Sequence, residues 1–440
     1  MNKDMKLLRR AYDAWLAAEP LRRRRERHKR YTYGDQWSDP DTDCNGRTVE
    51  ERRRIIDSGK RPLTNNLIRQ LVKTIVGRYR TAAAESGAYD TSEGSFDRRN
   101  HLAELDSRML EEFVISGCAI QRICAERREG GEGVWVDNVS PAAFFVNDYR
   151  DPRGHDIDFI GMLHDMTEAE LVNRFGRGSA RRVEALRRLY AGRGAGWTLD
   201  GPGSAGAPAR ADTDFCRARD RRLRVIETWQ LAAESAADSA GRQYMAVRWQ
   251  CTWLAPDGTV LSSYASPYGH GSHPFAVKHY PLTDGEVHSF VEDVIDQQRT
   301  INRLVVLIDT MLASSAKGAL LFPVEQLPRG VTIDDVSRLW ASPDAVIPVT
   351  GRAGAEMPRQ VVTNTADSGA YQLLNLQMKL FGDVSGISDA LLGRNVPAAT
   401  GSSLYDAQVR NAAIALADLL ETFASFTAER SDKAAKTYRN

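Results

Sequence analysis

The sequence has no apolar run long enough to cross a bilayer; the closest stretch, 304–308, is closed by Asp309. Cysteine is scarce: Cys44, Cys118, Cys124, Cys216 and Cys251 are an odd number, with no Cys-x-x-Cys among them. Such usage predicts free thiols in a reducing compartment. The first residues are basic but lack the apolar core of a secretion signal, so a cytosolic site of assembly is expected. An excess of one charge is missing too, with 59 basic residues against 58 acidic. Catalytic signatures are also absent. "SSAKGAL" and "DSGKRPL" fail the phosphate-loop pattern, "PGSAG" fails Gly-x-Ser-x-Gly, and no His-Glu-x-x-His occurs. His270, His273 and His279 lie close together without a cysteine or carboxylate at ligand spacing, and read as a polar loop. Asp334-Asp335 and Glu292-Asp293 read as helix-surface carboxylates. No enzyme, metal or cofactor is expected.

Balanced overall charge hides a local bias. Eleven Lys and Arg fall in the first thirty residues, opposed by Asp4, Asp13, Glu19 and Glu26. That segment is either a solvated helix face or a contact for a polyanion. The spacing predicts one charged helix over 5–30, an irregular connector over 31–66, and helices over 64–80 and 97–127. Strand composition follows over 134–148, then a helix opened by Thr167 and stopped by Gly176. Residues 191–214 read as a loop; 223–231 and 244–264 read as strands, with a hairpin turn at 255–259.

The longest pattern comes next. Apolar residues from Val287 to Leu312 recur at helical spacing over about seven turns, roughly 39 Å. A helix of that length suits a strut between neighbours. Its apolar stripe, including Ile308, is expected to pack against adjacent copies. Asp296, Arg299 and Arg303 lie on other faces. Gln298 and Asn302 are either packing or inter-subunit hydrogen-bond residues, or exposed polar positions. Residues 319–362 are short and turn-rich, with one helix in "LPRGVTIDDVSRLW"; helical spacing returns over 367–381, and a final helix follows a loop.

Several motifs, in order, resemble bacteriophage portal proteins of the short-tailed type. They are "RYTYGDQW" with "RPLTNNLIRQLVKTIVGRYR", "VSPAAFFVNDYRDPRGHDIDFIG", "VIETWQ", "SHPFAVKHY", "DVIDQQRTINRLVV" and "GISDALLGRNVPAATGSSLYDAQ". The resemblance implies an α+β portal fold: an α/β wing over 1–285, a stem helix over 286–316 and a small α/β clip over 317–364. A returning stem helix over 365–389, a tunnel loop over 390–403 and a C-terminal helix or short crown over 404–440 complete it. It further implies a ring of about twelve copies passing double-stranded DNA without sequence preference. The implied partners are the terminase large subunit, capsid or scaffolding protein, and tail or adaptor proteins, with no membrane. The candidate site residues are Arg394, Asn395, Thr400 and Ser402 in a DNA-facing tunnel loop; Asp296, Gln298, Arg299, Asn302 and Arg303 as channel or packing residues of the stem; and Lys317, Arg329 and Arg352 near the clip, toward DNA or the packaging motor. The alternative is a monomeric DNA-binding or scaffold adaptor of virion assembly.

Overall fold

The computed structural model describes residues 3–42, 45–128, 131–191, 215–218, 222–237, 243–315, 319–341, 346–351, 354, 356–361, 368–386, 414 and 416–437. The chain divides into two units. The first comprises Met1–Tyr33, Ile68–Asp293 and Gly386–Asn440; the second comprises Gly34–Leu67 and Val294–Ser385.

The first unit opens with α1 (Lys3–Ala17) and α2 (Glu19–Tyr33). One helix was expected here. Pro20 explains the break: it lacks an N–H and is tolerated in a first turn but not inside a helix. The second unit's connector, expected to be irregular, holds a small hairpin, β1 (Pro40–Thr42) with β2 (Thr48–Glu50), and a short helix α3 (Glu51–Asp57). Next come α4 (Leu67–Glu85), α5 (Phe96–Asn100) and α6 (Leu102–Ser116).

The helix expected to run to 127 ends instead at Ser116. Gly117 adopts φ +73°, and a Cβ there would lie 2.8 Å from Val287. Residues Cys118–Arg128 form a strand, β3, that runs between β4 (Gly131–Asn138) and β10 (Phe275–His279). Every residue from Cys118 to Cys124 is buried, so this strand has no polar face and no alternation to betray it.

A second antiparallel sheet runs in the order β5 (Phe144–Val146), β6 (Phe159–Met166), β7 (Leu223–Ala237), β8 (Gln243–Leu254), β9 (Val260–Ala265). Its two faces feed separate cores, as the period of two requires. Val225 and Trp229 join Phe144, Trp253 and Phe275 on one side. Ile226 joins Phe145, Phe159 and Leu254 beneath Leu8, Tyr12 and Trp15 of α1 on the other. Gly161 lets the strands close: a Cβ there would sit 2.1 Å from the Glu227 carbonyl.

Helix α7 (Glu168–Phe175) begins as the sequence predicts. Thr167 caps the Glu170 N–H and Glu170 caps the Thr167 N–H. Helix α8 (Ala180–Ala191) follows. The predicted turn at 255–259 is present, with Gly258 at φ +83°.

The long helix, α9, spans Ile295–Ser315, about 31 Å at 1.5 Å per residue. It starts later than its apolar spacing suggested. Glu286–Val287 is strand β12, paired with β11 (Pro281–Thr283), and Glu292–Val294 is a 3-10 turn. Val287, Phe290 and Val291 are therefore not on the helix. Beyond it lie β13 (Ala319–Leu321), α10 (Ile333–Ala341), β14 (Arg359–Val361) and α11 (Ser368–Ser385). Strand β13 pairs antiparallel with β14, and α11 packs on α9. The first unit closes with α12 (Ala417–Ala435).

Candidate functional site: the long helix and the segment it holds

The polar residues of α9 do two jobs. Gln298 and Asn302 are four apart, so they share a face, and both are fully buried. They clasp the backbone at residue 65 from both sides. Gln298 Nε2 donates to the Asn65 carbonyl at 2.7 Å, and the Asn65 N–H donates to Asn302 Oδ1 at 3.1 Å. The Leu67 N–H, at the start of α4, donates to Gln298 Oε1 at 2.9 Å. Asn302 Nδ2 reaches Gln36 Oε1 at 2.5 Å, and Gln36 Nε2 reaches Asn66 Oδ1 at 3.1 Å. Both side chains are buried and bonded, so they are not the exposed polar positions that the sequence also allowed.

The second job is electrostatic. Glu51, the first residue of α3, is 1% exposed. It accepts from Arg299 Nη2 at 2.9 Å and from Arg303 at 2.6 Å. A carboxylate buried this deeply needs such partners, because desolvation alone disfavours its charge. Ile55, one turn on, joins Trp37 and Val306 in a small apolar cluster beside it. The exposed face of α9 carries Asp296, Thr300, Arg303 and Leu307. Ile308, expected between copies, is buried within the single chain.

Helix α11 differs. Its less exposed positions are Ala370, Leu374, Gln377, Phe381, Gly382 and Ser385, a narrow stripe. Beside that stripe Leu373, Leu376, Leu380 and Val384 recur at helical spacing and are exposed, Leu376 by 51%.

The family model for phage P22-like portal proteins matches residues 5–434. The chain belongs to that family. It functions as a phage portal, the ring at one capsid vertex through which double-stranded DNA is packaged and ejected. Portal proteins are structural components of the virion, and their rings meet capsid, terminase, DNA and tail. No individual curated protein matches the chain. Among the described residues, no helix is long and apolar enough to cross a membrane.

Within the portal chain the remaining candidates fall as follows. Arg329 is exposed in the turn before α10. Lys317, Arg352, Arg394, Asn395, Thr400 and Ser402 lie outside the described residues. The three histidines are not gathered around one point for a ligand. His270 and His273 each accept, through Nδ1, from the backbone N–H two residues on, and the His279 ring packs at a tilt against Tyr149. Burial lowers the pKa of all three, to about 4 for His270 and His279; Lys433 adds to the effect at His270 and His273. The arginines of α2 are largely engaged inside the chain. Arg22 stacks on Trp15, Arg25 forks onto Glu112, and Arg23 pairs with Glu19.

Three features went unread in the sequence: Glu51, and two buried polar networks in the first unit. Asp106 accepts from Tyr89, Gln121 and both terminal nitrogens of Arg430 on α12. Glu227 accepts from Arg122, His164 and Trp229. Burial pushes the Glu227 carboxyl up, but Arg122 and His164 overcome it and hold the group well below the usual carboxylate range. The sequence signal for Glu51 is faint: "GDQW" and "PLTNN" stand out as motifs, but nothing in them says that their Gln36 and Asn65 meet α9.

Proposed function

We propose that the second unit supplies the stem and clip of the portal ring. Helix α9, in the span 286–316, is the first stem helix; 317–364 is the clip; and α11, in 365–389, is the returning stem helix. Residues 390–403 are the tunnel loop, 1–285 form mainly the wing, and 404–440 form the closing helix. About twelve copies close head to tail, since a rotation that closes gives a ring. DNA passes without base readout, touching backbone-directed groups such as Arg303 on α9 and Arg394, Asn395, Thr400 and Ser402 in the tunnel loop, while Asp296 on α9 repels the phosphates. Arg329, Lys317 and Arg352 of the clip face the terminase large subunit during packaging and a tail or adaptor protein afterwards. Scaffolding or capsid protein holds the wing. Assembly takes place in the host cytoplasm, and the chain itself performs no catalysis.

The observation that carries this reading is the exposed stripe on α11. An 18-residue helix with Leu373, Leu376, Leu380 and Val384 in water is incomplete alone. A neighbouring copy supplies its cover. Leu376→Asp combined with Leu380→Asp is expected to give folded monomers by native mass spectrometry and negative-stain microscopy. Rings persisting in that variant would sink the seam.

A further inference from the structure

The stem helix carries two arginines, and a buried acid holds both. We propose that Glu51 sets the electrostatic character of the stem: it keeps Arg299 and Arg303 from gripping the phosphodiester backbone of DNA in transit. The proposal rests on the reading that α9 lines the DNA path.

Without Glu51, α9 would present two guanidinium groups four residues apart, one turn along one helix. Guanidinium forks match phosphate oxygens, and each phosphate neutralised adds to salt-dependent affinity by counterion release. A conduit with that grip repeated in every copy would slow the strand it must release. Glu51 answers both charges with one carboxylate, using Oε2 for Arg299 and Oε1 for Arg303. The trio sums to +1, from two cations and one anion, instead of +2. Asp296 stands on the exposed face and opposes what remains. Position matters as well as charge. Arg303 keeps 48% of its side chain exposed, so it is within reach of a passing strand, and Glu51 restrains it. Glu51 is a positioning residue, acting through the arginines it holds.

The test uses assembled full-length protein and a blunt double-stranded DNA fragment. Retention is measured between about 50 and 200 mM salt. Glu51→Gln removes the charge and keeps the shape. It is expected to raise retention several-fold at low salt and steepen the log–log salt slope by about one or more. Glu51→Asp keeps the charge and should follow the unmodified protein. Asp296→Lys serves as the control for the stem reading. If Asp296→Lys strengthens retention and Glu51→Gln does not, the role of Glu51 is overturned while the stem reading stands. If neither changes retention, the stem reading fails and takes this proposal with it. Should Glu51→Gln not assemble, Glu51→Gln with Arg299→Gln restores the net charge and leaves Arg303 unrestrained. An unchanged slope in that pair, or failure of the pair to assemble, reduces Glu51 to a packing residue and overturns the proposal.

Discussion

The first unit buries most of its large apolar side chains, whereas the second leaves a flank of α11 exposed. In the first, a sheet is covered on both faces and its buried carboxylates Asp106 and Glu227 find partners inside the chain. Its main departure is the far end of the β7–β8 ribbon, where Met245 and Val247 are exposed. In the second unit the polar face of α9 is closed by Asn65, Gln36 and Glu51, yet the apolar flank of α11 is open. The lesson is that polar closure and apolar closure are separable. Unmet hydrogen bonds cannot wait for a partner, because an unpaired buried donor or charge destabilises the chain at once. Apolar surface can wait, since its exposure costs solubility before it costs the fold.

That contrast can be broken by substitution, beginning with the largest effect. Arg430→Met leaves Asp106 buried without its cation and should cost about 3–5 kcal/mol of chain stability. Chemical denaturation reads this, and Asp106→Asn added to Arg430→Met should recover part of it. A loss under about 1 kcal/mol would mean that the first unit does not depend on its buried ion pair. Gln298→Ala strips partners from Asn65 and Leu67 and should cost about 1–3 kcal/mol in the isolated chain, before any ring forms. If the loss appears only in rings, the clasp belongs to assembly and the contrast fails.

Acid should weaken the first unit next. His270, His273 and His279 have folded pKa values below their unfolded value, so the unfolded chain binds more protons. Stability is therefore unaffected by these groups above about pH 6.5 and falls as pH drops from there toward about 4. Denaturant midpoints at successive pH values measure the slope, which His279→Asn should flatten. A slope unchanged by that substitution would remove His279 from the balance. Thr167→Ala should cost about 1 kcal/mol by opening the capping box, visible as a small shift in midpoint. Least of all, Leu373→Ser should change the stability of the single chain by within about 0.5 kcal/mol while lowering ring yield.

Local features of the fold were legible because local chemistry fixes them. Thr167 with Glu170, the turn at 255–259 and the apolar spacing of α4 each act within a few residues. The elements misread were decided at a distance. Strand β3 is buried on both faces, so its composition matched the helix before it, and only Gly117 marked the change. The charged run at 51–54 lies in the stretch that reads as an irregular connector, and nothing nearby distinguishes Glu51 from Glu50. Asp106 and Arg430 are 324 residues apart, beyond any spacing rule. On α9 the charge of Arg299 and Arg303 is visible in the sequence; the acid that pairs with both lies about 250 residues earlier in the chain, within the 31–66 connector.

The second unit is built from two separate stretches, Gly34–Leu67 and Val294–Ser385, so the chain passes between units at 33/34, 67/68, 293/294 and 385/386. Inheritance follows from this. A recombination event that swapped only 294–385 would separate Gln298, Asn302 and Arg299 from the Asn65, Gln36 and Glu51 that they hold. The two stretches of the second unit are therefore coupled, and a hybrid that differed at Asn65, Gln36 or Glu51 would leave the polar residues of α9 without the partners described above.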